Sequence, residues 1–103
     1  MSRLRGRIVR PLRIIATTAD AERLRGALML AAAQAALGGD VAIFLQLDAV
    51  ALLRAPVGGP RDAAHQGAGL PSLAALIDDA LGLGVRLIAC QSGLALHGMS
   101  VAD

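Results

Sequence analysis

From residue 12 onward the chain alternates short apolar runs with longer stretches of helical period. Residues 12–17 (LRIIAT) are aliphatic and β-branched and predict a first strand. A helix follows over residues 20–37, where Leu24, Leu28, Ala31 and Ala35 recur at the spacing of one helix face. Asp20 is placed to cap its start, and Gly38 and Gly39 supply a left-handed stop. Residues 41–46 (VAIFLQ) are apolar almost without a break, as in a strand covered on both faces. Residues 48–54 predict one or two helical turns. Residues 55–69 then form the one long loop, marked by Pro56, Gly58, Gly59, Pro60, Gly67 and Gly69. A loop of that length inside a domain tends to be functional or mobile. Residues 71–83 predict the next helix, with Pro71 in its first turn and Leu73, Leu76, Ile77 and Ala80 as its core stripe. Gly84 ends it, residues 85–89 (VRLIA) form a third strand, and Cys90 stands directly after that strand. Residues 91–98 start another helix.

Strand, helix, strand, helix, strand is the pattern of βαβ units and a parallel sheet. In such sheets ligands and reactive groups gather beyond the carboxyl ends of the strands. Thr17, Thr18, Gln46 to Asp48, and Cys90 to Gly93 all fall on that edge. The second half of the long helix (Met29, Leu30, Ala32, Ala33, Ala36) is apolar nearly all round, and three strands leave two sheet edges to cover. Both features point to self-association.

Composition narrows the classes. The chain has 103 residues, 55% hydrophobic, with a single aromatic side chain, Phe44. That is one domain, not a disordered chain. Cys90 is its only cysteine, which excludes an internal disulfide framework, and no apolar run reaches the roughly 18–20 residues of a membrane span. A cytoplasmic, reduced protein is the expectation. All ten basic residues are arginine, and five of them (Arg3, Arg5, Arg7, Arg10, Arg13) crowd into the first 13 residues, giving that stretch +5; the remaining five face eight acids, a balance of −3. A basic arm over residues 1–11 followed by one domain over 12–103 is the division this implies. Without Tyr or Trp there is no stacking platform for bases, so nucleic acid is not the expected partner.

Cys90 is the residue through which chemistry is conceivable. In A-C-Q-S-G, a strand gives way to a helix, and the amides of Gln91, Ser92 and Gly93 would favour a thiolate at Cys90. A lone thiol so placed can accept and pass on a sulfane sulfur; equally, a cysteine can be a small buried hydrophobe. His65, in the long loop, and His97, after Cys90, are the other titratable candidates and read mainly as surface residues. The two histidines and one cysteine match no metal-ligand spacing, so neither a metal nor a cofactor is expected. Gly82-x-Gly84 precedes a strand instead of following one, a chain without lysine has no phosphate-binding P-loop, and Ser92 lies outside any G-x-S-x-G elbow. Asp78 and Asp79, consecutive on a helix, diverge by about 100° and read as a solvated face.

Residues 69–98, GLPSLAALIDDALGLGVRLIACQSGLALHG, resemble the signature half of the DsrE/DsrF-like sulfur-relay family: a Ser-Leu helix, a Gly-Val strand, an Ala-Cys turn and a following Gly. The first half agrees, with ADAERLRGALMLA (19–31), then GGDVAIFL and DAVALL, so the resemblance spans about residues 12–103. It implies a three-layer α/β/α sandwich with a mainly parallel sheet, assembled into homo- or hetero-oligomers. Family members continue with a further helix and strand, so it also implies a sheet shortened at the C-terminus or completed by a partner. The chemistry it implies is sulfur transfer through a persulfide on the cysteine at the third strand's end, here Cys90. Gln91, Ser92, Gly93, Thr17, Thr18, Gln46 and His65 are then the expected surrounding site, and sulfur donor and acceptor proteins the expected partners. The rival expectation is an oligomeric binding or scaffold module that keeps the fold without the chemistry.

Overall fold

The computed structural model describes residues 10–99, so most of the arginine arm, Arg3, Arg5 and Arg7 included, lies outside the described residues. Three strands, β1 (Leu12–Ala16), β2 (Val41–Leu45) and β3 (Arg86–Ala89), form one parallel sheet in the order β1-β2-β3. Helix α1 (Ala21–Ala36) links the first pair; a 3-10 segment (Leu47–Leu53), a short helix α2 (Asp62–Gly67) and helix α3 (Leu73–Gly82) link the second; helix α4 (Gln91–Leu96) follows β3. Sequential strand order with crossovers of one hand carries α1 and α3 to the same face of the sheet, and there they pack together. The result is a mixed α/β fold, a three-stranded parallel sheet flanked by helices, compatible with an α/β sandwich.

The start of α1 follows the sequence expectation. Asp20 stays extended and its Oδ1 accepts the amides of Glu22 (2.9 Å) and Arg23 (3.2 Å), satisfying two donors that a helix start leaves free. At the other end Gly38 adopts φ +91° and donates to Ala35 O, a turn that a side chain would resist. The core lies between the sheet and these helices: Leu24, Leu28 and Ala31 of α1, Leu73, Ile77 and Ala80 of α3, and Val41, Ile43 and Leu45 of β2. A fully buried aliphatic side chain of this kind contributes about 1.5–3 kcal/mol.

The strand register assigns the remaining positions. Ile15, Phe44 and Ile88 stand side by side on the face turned away from α1 and α3. There Ile15 is 61% and Ile88 37% exposed, so among the described residues β2 is covered more fully on one face than on the other, whereas its unbroken apolar run predicts cover on both. At the N-terminal edge one carboxylate spans the sheet. Asp40, just before β2, accepts from Arg13 of β1 and Arg86 of β3, each at 2.9 Å. Its hydrogen bond from Arg13, then the charges of both arginines, hold its pKa below the ordinary value.

The stretch predicted as a long open loop departs from expectation. It contains α2 and is fastened to α1. Arg25, on α1 yet only 6% exposed, donates to Asp62 Oδ1 and to Pro71 O, both at 2.6 Å. Asp62 also accepts the amides of Gly59 and Leu73 at 3.0 Å. Those two amides, with Arg25, keep its carboxyl below its usual pKa. Six residues (DAAHQG) are too few to show a helical period, so nothing in the sequence separates α2 from the glycine-rich chain around it.

Candidate functional site

The site is built at the C-terminal edge of the sheet, where β2 and β3 both end. After β3 the amide of Cys90 still donates to Leu45 O at 2.9 Å, extending the ladder by one residue before the chain turns into α4. Cys90 is the N-cap of that helix (φ −74°, ψ 148°), is half-buried, and carries a free thiol. Its Sγ accepts two backbone N–H groups: Gly93 at 3.1 Å, from the first turn of α4, and Leu47 at 3.2 Å, from the start of the 3-10 segment. Together these donors lower the thiol's pKa, Leu47 most and Gly93 next, against the opposing effect of burial; the amides of Cys90 and Ser92 add to it. Donors aimed at a sulfur stabilise the form that carries the negative charge.

Two backbone features make this possible. Leu47 has φ +51°, the left-handed region that costs a side-chain-bearing residue of order 1–3 kcal/mol, and it is this turn that carries its N–H to Cys90. Gly93 lies so close to the 3-10 segment that a Cβ there would overlap Val50 Cγ2 and stand 2.7 Å from Leu47 O and 3.0 Å from Leu47 N. Only glycine lets α4 approach closely enough for one sulfur to receive donors from both segments. The same two segments are joined again further along. His97 Nε2 is 3.1 Å from Asp48 Oδ1, and the Arg54 guanidinium donates to His97 O.

Of the residues expected around the thiol, Gly93 donates its amide to Sγ, the amide of Ser92 adds a smaller lowering of the thiol's pKa, and Gln91 opens α4 beside them. The second close donor is Leu47, which lies outside the expected set of Gln91, Ser92 and Gly93. The sequence carries no sign of this, because the contact is made by a main-chain group 43 residues away. Gln46 precedes Leu47 and donates its amide to Ala16 O at 2.9 Å, which fixes the start of the turn. Thr17 and Thr18 sit on the same edge but line hollows at the end of β1: Thr18 one with Arg23, Leu52, Gly58 and Pro60, and Thr17 another with Ile14, Ile15 and Leu24. Cys90 borders neither hollow. His65 is paired with Glu22, its Nε2 at 3.0 Å from both carboxylate oxygens, and makes no hydrogen bond to Cys90. Among the described residues no three His, Cys, Asp or Glu side chains are grouped to hold a metal ion, and no helix is long and apolar enough to cross a membrane.

No curated protein and no solved structure matches the chain. A family model does, over residues 12–103, the span of sheet, helices and thiol turn together. On that match the protein belongs to the DsrE/DsrF-like family.

Proposed function

We propose that the protein is a sulfur carrier in which Cys90 holds sulfane sulfur as a persulfide. Membership of the DsrE/DsrF-like family is consistent with a sulfur-relay role. The observation that supports the finer reading is the pair of amides, Leu47 and Gly93, converging on a half-buried thiol. In the loading step the Cys90 thiolate attacks the outer sulfur of a donor persulfide. A new S–S bond forms to Cys90, the donor's S–S bond breaks, and the donor's inner sulfur leaves as a thiolate. No external oxidant or reductant is consumed. In unloading, an acceptor thiolate attacks the terminal sulfur and Cys90 departs as a thiolate, which the two amides stabilise as leaving group. Donor and acceptor proteins and an oligomeric state belong to the same reading.

The test is intact mass after incubating reduced protein with a persulfide donor. The native chain gains one sulfur atom, removable by a thiol reductant, and Cys90→Ser gains none. An unmodified native chain whose thiol alkylates with the pH midpoint of a free cysteine overturns the reading and leaves a binding module built on the family's fold.

A further inference from the structure

Leu47 holds a turn that its own side chain does little to secure. A φ of +51° is uphill for any residue with a Cβ, and such turns persist only where the surroundings over-determine them. Leu47 is 51% exposed, so burial is not the restraint. On one side it is fastened by Gln46, whose amide donates to Ala16 O at 2.9 Å. On the other side is Asp48, and its carboxylate reaches across to α4, where His97 Nε2 lies 3.1 Å from Oδ1. A carboxylate only accepts, so the ring nitrogen is the donor. His97 is less of a surface residue than the sequence suggests, with only 26% of its side chain exposed.

His97 is itself fixed from two directions. Its amide donates to Gly93 O at 3.2 Å, and its carbonyl receives the Arg54 guanidinium from the far end of the 3-10 segment. The contacts therefore close a ring. From Sγ it runs to Gly93 N, through Gly93 O to His97, across to Asp48, and back through Leu47 N to Sγ. Every link but one joins main-chain groups to each other or to the sulfur. The exception is Asp48 to His97, the one link that depends on side chains other than Cys90.

We infer that His97 and Asp48 are positioning residues for the thiol: the tie between them holds Leu47 in its left-handed turn and so keeps the Leu47 amide on Sγ. Among the described residues the hydrogen bonds to Sγ come from Leu47 and Gly93, so neither His97 nor Asp48 acts on the sulfur by a bond of its own. Asp48, Arg54 and His97 are the charged or titratable side chains of the 3-10 segment, α4 and their caps, apart from the thiol itself. Their place in the chemistry rests on the sulfur-carrier reading. With the tie open, Cys90 loses one of the two amides that stabilise it as leaving group, and sulfur is handed on more slowly.

The pH dependence of alkylation by iodoacetamide, read on the reduced full chain with circular dichroism as the check of folding, tests this. In His97→Ala the alkylation midpoint rises by at least about half a unit, which is about threefold less thiolate at a pH well below it. His97→Gln and Asp48→Asn each keep a hydrogen bond across the tie without the charge, and both stay close to native. The rise in His97→Ala persists in about 1 M salt, where a direct effect of charge on the thiol is screened. Asp48→Ala, read in the same salt, opens the same link from the other side and raises the midpoint likewise, which keeps the test alive if His97→Ala does not fold. A midpoint that stays native in these alanine variants, even with stability lost, overturns the inference. So does a shift that vanishes in salt, or one that His97→Gln shares in full. Alkylation reports the reduced thiol and not its cargo. A native chain that takes up no sulfur while its variants follow this pattern refutes the carrier and leaves the positioning roles standing.

Discussion

Replacing Gly93 by alanine tests the thiol site through its packing. The added methyl would overlap Val50 Cγ2 and lie 2.7 Å from Leu47 O, whereas unstrained carbon contacts sit at about 3.5–4.0 Å. Relief needs α4 to retreat from the 3-10 segment by roughly 1 Å, the gap between those two distances. Overpacking of this kind costs about 1–3 kcal/mol. For a domain of this size that is a fall in Tm of roughly 4–8 °C per kcal/mol. The two hydrogen bonds to Sγ respond differently. The Gly93 bond lies within the first turn of α4 and moves with it, but the Leu47 bond bridges the two separating bodies and is lost. The thiol pKa therefore rises toward its ordinary value without reaching it. Urea unfolding gives the stability, and the pH dependence of alkylation by iodoacetamide gives the pKa. Adding Val50→Ala removes the side-chain overlap but not the main-chain one, so the double variant regains part of the stability and not the lowered pKa. A helix glycine in open space would instead gain stability on becoming alanine. If Gly93→Ala is as stable as the native chain and alkylates with the same midpoint, the close approach of the two segments is wrong.

The depressed pKa of Cys90 has a consequence for folding, with its sign fixed by linkage. A thiol whose pKa is lower folded than unfolded adds nothing below the folded pKa, and its contribution grows as pH rises and is complete above 9.0, its ordinary value. Urea titrations should show native stability rising relative to Cys90→Ser across that interval, and parallel curves would refute it. Asp62 works in the acid range. Its contribution is complete above its ordinary pKa of 3.8 and lost as pH falls through the lowered folded value, so Asp62→Asn should flatten acid unfolding there. Leu28→Ala, at a fully buried position, should cost about 2–5 kcal/mol in urea unfolding. A loss below 1 kcal/mol, roughly what a surface site gives, would place Leu28 outside the core. His65→Ala should leave the alkylation profile of Cys90 unchanged, because its ring is engaged by Glu22; a shifted midpoint would return it to the thiol site.

What the sequence discloses and what it hides divide along a physical line. Period and caps are local, so β1, α1, β2, α3 and β3 are legible, Asp20 can be named as a cap, and Cys90 can be placed at a strand end before any coordinates. Leu47 is hidden because its contribution is an amide, identical in every residue but proline, delivered by a left-handed turn that leucine seldom makes. Nothing local marks Arg25 for burial; it depends on Asp62, whose neighbours predict only a loop. Gly93 is visible as a residue, but the close contact that demands it needs three dimensions.

The carboxylate of Asp40 acts as a clasp across all three strands at once. A slip of one residue in either outer strand would turn its arginine to the opposite side of the sheet and break the clasp, so alignment is secured at the end remote from the sulfur. The turns around Cys90 are thereby relieved of holding the strands in step. Their shape can then answer to the thiol alone, through the left-handed Leu47 and the unsubstituted Gly93.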